Sequence, residues 1–306
     1  MEFGRPSSVE LLDELDLSLP RDDDANAASL SLFRLPDAPR RVWMGAPVWA
    51  QPALARRLGP PGTKGRRALA TYARHFDALE LNTTFYAAER AQLERWASAV
   101  PAGFRFAPKL LGAIGHERRL VGAERESEAF FSAVEGLGTR RGPCWLLLPP
   151  DFGPSELSAL ARWLERFAAR GPLAVELRDP GWFADRGAAA AVFELFEAHG
   201  VGAVISDVAL RRDVLHMRVS APFTFVRFAG HALHPTDLQR LDQWIERLGA
   251  WFEAGLREAW LCLHQPNEGL VVELAQFVAD AAPGRLGLEL RRPDPLESAR
   301  QPDLFG

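Results

Sequence analysis

The chain predicts an α/β fold, a (β/α)8 TIM barrel with an N-terminal extension before it and a flexible C-terminal tail after it. Three observations carry this reading. From Val42 onward, eight strand-like segments alternate with helical periodicity over roughly 250 residues, the size and rhythm of such a barrel. Charged and polar residues gather at the carboxyl ends of those segments, the face where TIM barrels keep their active sites. No GxGxxG and no GxxxxGKS/T follows any strand, so the doubly wound open sheet, the alternative, lacks its phosphate-binding fingerprints.

Taken in order, residues 1–40 read as a partly disordered extension. Leucines from Leu11 to Leu19 alternate with acids, and the stretch from Arg21 to Asn26 is a charged, turn-rich break. The barrel domain spans 41–290, with strands expected at 42–48, 77–82, 103–109, 144–149, 173–178, 202–207, 223–229 and 259–264. Helical spacing joins Leu93, Trp96, Ala97 and Val100, and again Leu157, Leu160, Leu164 and Phe167. Thr236 with Gln239 reads as a capping box after Pro235, opening a long helix that turns Leu241, Ile245, Leu248 and Phe252 inward. Between Val208 and Pro222 no helix is evident. Residues 291–306, rich in Pro, Arg and Asp, form the tail.

Composition narrows the functional classes. With 306 residues, 47% of them hydrophobic, the chain can bury a large core. A net charge of −4 argues against indiscriminate nucleic-acid binding by the whole surface. Yet Arg40 to Arg119 holds fourteen basic residues against five acids, which allows a one-sided basic patch or a merely solvated arginine-rich face. No run is long enough for a membrane span and the start carries no signal pattern, so a cytoplasmic protein is expected. Cys144 and Cys262 sit in apolar runs and read as core thiols. Only Lys64 and Lys109 are lysine among 36 basic residues, and asparagine occurs only at Asn26, Asn82 and Asn267. Residue types this scarce point to specific jobs.

The segment Asp77 to Tyr86, DALELNTTFY, marks one wall of a site. Alternation sends Leu79 and Leu81 one way and Ala78, Glu80 and Asn82 the other, and buried polar groups must be paired or used. The same parity groups Glu176 with Arg178, Arg105 with Lys109, and Cys262 with His264, while Asp207 and Arg227 lie at or near the ends of their strands. The catalytic candidates are Glu80, Glu176, Lys109 and the loop residue His116; the substrate-binding candidates are Asn82, Tyr86, Arg178, Asp207, Arg227 and His264. His231 and His234 could reach the same space. The competing structural reading is a buried ion-pair network among these acids and bases. Any cofactor is unknown; no His-x-His or HExxH spacing supports a divalent metal. The expected function is a hydrolase-like enzyme using general acid/base chemistry on an anionic substrate, a phosphate ester or nucleic acid. Two carboxylates also permit a glycosidase-like hydrolase.

Several motifs, in order, resemble the YecE-like family, domain of unknown function 72 (DUF72). They are Gly45 with Trp49 in GAPVW, ELNTTFY at 80–86, Trp96, the run PAGFRFAPK at 101–109, His116, LLLPPDF, VELRDPGW and FVRFAG. The resemblance covers about 42 to 282 and implies a TIM barrel without an established activity. Two places depart from it: the arginine strand reads Arg227, Phe228, Ala229, Gly230, His231 instead of passing into a His-Gly pair, and the last strand ends His264, Gln265, Pro266, Asn267 where the family has asparagines.

The chain closes on QPDLFG, in which Gln301, Leu304 and Phe305 resemble the short motif that docks bacterial DNA-maintenance proteins on the sliding clamp. A non-catalytic module tethered to the clamp is therefore the rival to an enzyme.

Overall fold

The structure is a computed structural model that describes residues 10–35 and 38–296. All eight expected strands form: β1 (Arg41–Ala46), β2 (Ala78–Leu81), β3 (Arg105–Pro108), β4 (Cys144–Leu147), β5 (Leu173–Glu176), β6 (Gly202–Asp207), β7 (Phe223–Ala229) and β8 (Glu258–His264). They pair in parallel in the order β3-β2-β1-β8-β7-β6-β5-β4. The gap between β3 and β4 is bridged only at Phe106 with Arg141 and Lys109 with Trp145, where the Leu110 N–H donates to the Trp145 carbonyl at 2.9 Å. The barrel is thus nearly closed.

Strand alternation sorts the side chains into two cores. Outward residues such as Leu79, Leu81, Phe106, Val175 and Leu261 join the large core beneath the helices. Inward residues make a smaller one from Trp43, Ala78, Ala107, Trp145, Phe225 and Trp260. Trp43 stacks on Trp260 at 5.7 Å, and Phe225 lies parallel to the same indole at 6.1 Å, so a slab of rings fills the lower barrel. Beside these rings the strands close up tightly, as at Gly45. A Cβ at that position would lie 2.2 Å from the Ala78 carbonyl oxygen, so only glycine lets β1 approach β2.

Around the strands run α1 (Asn26–Phe33), α2 (Pro52–Leu58), α3 (Gly65–His75), α4 (Arg90–Ala97), α5 (Glu124–Val134), α6 (Leu157–Phe167), α7 (Gly181–Ala184), α8 (Arg186–His199), α9 (Pro235–Ala254) and α10 (Val271–Leu286). The capping box expected at Thr236 is corrected. Pro235 already occupies the first helical position, where its missing N–H costs nothing, so the cap falls on His234 and its Nδ1 faces the Thr236 N–H at 3.4 Å.

No α-helix follows β6, as the sequence indicates; the connection holds only a short 3-10 turn, Arg212–Val214. The extension supplies the missing layer. Helix α1 packs against α9, and Ser29 Oγ donates to Glu197 of α8 at 2.5 Å, which seats α1 between the two helices that flank the gap. Buried Asn26 pins it there: its Nδ2 donates to the Met217 carbonyl at 2.6 Å and its Oδ1 accepts the Val219 N–H at 2.8 Å. Leu30 of α1 is buried in the large core and Leu12 and Leu17 are buried with Ala209, so the described part of the extension is docked.

At the other end, residues 291–296 are also held down, by Arg291 on Asp77 at 2.7 Å and by the Leu296 N–H on the Arg57 carbonyl at 2.9 Å. The segment carrying Gln301, Leu304 and Phe305 lies outside the described residues. Among the described residues no helix is long and apolar enough to cross a membrane.

The seat of α1 gives the first prediction. Asn26→Ala strands a buried carbonyl and a buried N–H and should lower unfolding free energy by about 2 kcal/mol, whereas Ser31→Ala, on the exposed face of the same helix, should change it by less than about 0.5 kcal/mol. Urea unfolding of the two variants compares them directly; equal effects would mean that α1 is not fixed through Asn26.

Candidate functional site

Inward parity brings most of the expected residues to the carboxyl ends of the strands. Glu80 on β2, Lys109 just past β3, Glu176 on β5, Arg178 two residues beyond, Arg227 on β7 and His264 on β8 form one charged layer above the aromatic slab. Arg227 is its centre. Its Nε and Nη2 donate to Glu80 at 3.1 and 2.9 Å, its Nη1 donates to Glu176 at 2.8 Å, and its guanidinium lies 4.6 Å from the Trp145 ring.

Both carboxylates are saturated. Glu80 also accepts from Asn82 Nδ2 at 2.9 Å and faces His264 Nε2 at 3.0 Å. Glu176 also accepts from Arg178 Nε at 2.7 Å and from Ser206 Oγ at 2.9 Å. Burial alone would raise both carboxyls, but the guanidinium charges override it: Glu80 is held well below its ordinary value, chiefly by Arg227, and Glu176 is held at about 2 by Arg178 and Arg227. Burial pushes the His264 imidazole down despite Glu80, so it is neutral near pH 7 and donates its Nε2–H to that carboxylate.

Lys109 is different. Among the described residues its Nζ has no hydrogen-bond or ion-pair partner. It rests on aromatic faces, 4.2 Å from the Phe85 centroid and 4.9 Å from that of Trp145. Burial, then the charge of Arg227, lower its amine to about 8. His116 meets the Phe85 ring edge to face, 5.3 Å between centroids. It lies not on an open loop but in a π-helical turn, Ala113–Glu117, and its buried Nε2 has no partner among the described residues. Burial and then Lys109 depress it, so it too stands neutral.

Three expectations change. Asp207 does not line the mouth, because Val204 and Ser206 hold the inward positions of β6 and Asp207 points into the helix layer. There it accepts from Arg212 at 2.6 Å, Arg240 at 3.0 Å and Trp244 Nε1 at 2.8 Å, a buried anchor for α9. His234 caps α9 and faces Asp13 at 3.4 Å, away from the charged layer, while the His231 backbone N–H donates to Asp237. Tyr86 stands on the rim, 85% exposed. Sequence reasoning missed Ser206, Phe85 and Trp145; the inward parity of Trp145 and Leu147 within CWLLL was a usable signal, whereas Phe85 sits in a 3-10 turn that alternation does not describe. Cys144 and Cys262 are free and buried, as read from the sequence. Among the described residues no three His, Cys, Asp or Glu side chains gather into a metal-holding group.

Arg227→Met should strand buried Glu80, leave Glu176 with Arg178 as its one guanidinium, and cost about 3–5 kcal/mol at pH 7. The pH dependence has a definite sign. Because both carboxyls are depressed in the fold, the stabilisation they bring is complete above the ordinary value of 4.5 and is lost as pH falls toward about 2, where Glu176 titrates. The gap between parent and variant in urea unfolding should therefore narrow on acidification across that window. A gap independent of pH would mean that the lost stability is packing on Trp145 and not charge.

Residues 43–296 match the family described as "Protein of unknown function DUF72". The UPF0759 protein YecE of Escherichia coli (strain K12) is 29% identical over 252 residues, covering 76% of this chain and 89% of that protein. The UPF0759 protein YunF of Bacillus subtilis (strain 168) is 30% identical over 132 residues, 40% of this chain and 47% of that protein. A DUF72 family protein of Enterococcus faecalis V583, known from a crystal structure, superposes with a TM-score of 0.64 at 18% identity over 84% of this chain and all of that one, a likeness of fold. With a TIM barrel carrying the inward charged layer and a family match that spans the whole of it, this chain belongs to the DUF72 family.

Proposed function

We propose that the protein is a general acid/base enzyme acting on an anionic substrate of the phosphate-ester class, with Lys109 as its proton carrier. The observation that carries this reading is the partnerless amine of Lys109 in a layer whose carboxylates are already saturated. Two carboxylates against Arg178, Arg227 and a protonated Lys109 leave one positive charge to be met from outside. Lys109 and the neighbouring Arg178 at the edge of the layer would hold the anion. An amine titrating at about 8 exchanges its proton readily near neutrality and can protonate a leaving oxygen. Glu80 and Glu176 then serve as the rigid frame that places Arg227 beside Lys109, not as the bases the sequence suggested. A glycosidase mechanism asks for one carboxyl kept protonated, and both of these are held ionised.

The scarcity of lysine makes the test clean. After reductive 13C-methylation the protein should give two lysine signals, from Lys64 and Lys109, besides the amino terminus; the one lost in Lys109→Met should titrate at about 8. Phosphate or sulfate binding by calorimetry should weaken as pH rises through about 8, because the amine loses its charge there, and should drop at least tenfold in Lys109→Met. Turnover of p-nitrophenyl phosphate esters, if found with the parent, should disappear in the same variant. No anion binding by the parent at pH 7, or binding that ignores Lys109→Met, would sink the proposal.

A further inference from the structure

The inward rows are charged at both ends. Arg41 on β1, Arg105 at the start of β3 and Glu258 on β8 point into the barrel at its amino-terminal face, beneath the slab rings Trp43 and Trp260 and across the slab from Lys109. With Arg141 and Arg257 they line a cavity of about 490 Å³. That volume suits a small ligand, at an end of the barrel where side chains ordinarily serve stability.

The charges there do not balance. Four arginines meet one carboxylate, Glu258, and an oxygen of that carboxylate accepts the Trp43 Nε1–H at 2.9 Å. Among the described residues none of the four is within ion-pair distance of any acid, although many of the chain's other arginines are so paired. Arg41 and Arg105 instead crowd one indole, with guanidinium carbons 5.6 and 5.1 Å from the Trp43 centroid. Burial and then the charge of Arg41 oppose the charged form of Arg105. Arg141 and Arg257 are held by single carbonyls, those of Arg170 at 2.7 Å and Phe33 at 2.8 Å, which fix them and leave other N–H groups to give. Trp260, on the same wall, has a buried Nε1–H with no partner among the described residues. A structural network would pair these groups; here fixed like charges surround space.

We propose that this cavity binds a small diphosphate, pyrophosphate or the diphosphate of a nucleotide, through Arg41, Arg105, Arg141 and Arg257. The net charge of the lining matches a diphosphate better than a single carboxylate, and guanidinium forks fit phosphate oxygens two at a time. Trp43 and Phe223 add flat apolar surface for a base. The site is separate from the Lys109 layer and does not depend on the reading of that layer.

Calorimetric titration of the full chain with pyrophosphate, ADP, inorganic phosphate and a single-stranded 20-mer tests it. Pyrophosphate should bind at least tenfold more tightly than phosphate, weaken at least tenfold in Arg41→Gln/Arg105→Gln, and bind Lys109→Met as it binds the parent. ADP tighter than pyrophosphate would identify a nucleotide, and equal affinities a free diphosphate. Should the double variant not fold, Arg41→Gln alone, at an exposed side chain, must still weaken binding. The proposal is overturned by absence of pyrophosphate binding, by loss in Lys109→Met with retention in the arginine variants, or by binding of the oligonucleotide alone.

Discussion

A guanidinium buried inside a barrel is tolerable only if anions close around it, and Arg227 sets that condition for the whole upper interior. Three of its N–H groups go to Glu80 and Glu176, its face goes to Trp145, and each carboxylate is then steadied from its far side by Asn82 and His264 or by Arg178 and Ser206. Removing Arg227 leaves Glu80 charged without a guanidinium in a low-dielectric space. The strands β2, β5 and β7, none of them adjacent to another of the three, are tied through this one cation, and β8 joins through His264 on Glu80.

The slab of Trp43, Trp145, Phe225 and Trp260 divides the interior into two electrostatic compartments. Above it, acids and bases are matched nearly one for one, and Lys109 is the exception. Below it, arginine is in excess. Rings packed at 5.7 to 6.1 Å occupy the space between the two.

What was legible in the sequence was whatever depends on alternation. The strands, the inward rows of Glu80, Lys109, Glu176 and Arg227, and the absence of a helix after β6 all follow from period-two patterning and from gaps in it. Asp207 failed for the same reason: it ends its strand like the others but has the wrong parity, and only Ser206 beside it reaches Glu176. Who pairs with whom was not legible. Glu80 and Arg227 are separated by 147 positions, and saturation of a carboxylate depends on donors from several strands at once. The amino-terminal arginines were visible only as part of a local basic excess. Scarcity proved a better guide than expected: Asn26 pins α1, Asn82 donates to Glu80, and Asn267 caps a turn through the Gly269 N–H at 3.1 Å.

The seat of α1 has a consequence for the order in which the molecule can be assembled. Helix α1, early among the described residues, fits between two helices of which the second, α9, ends only at Ala254, and the residues that hold Asn26 lie at 217 and 219. Until those positions are translated, α1 has nothing to bury against, and an isolated helix of eight residues does not persist in water. The chain therefore carries α1 unplaced until those residues appear and closes its outer ring by a contact of very long sequence separation, the kind whose loop entropy slows folding. Translation of the residues that hold Asn26, not local propensity, sets when the ring can be completed.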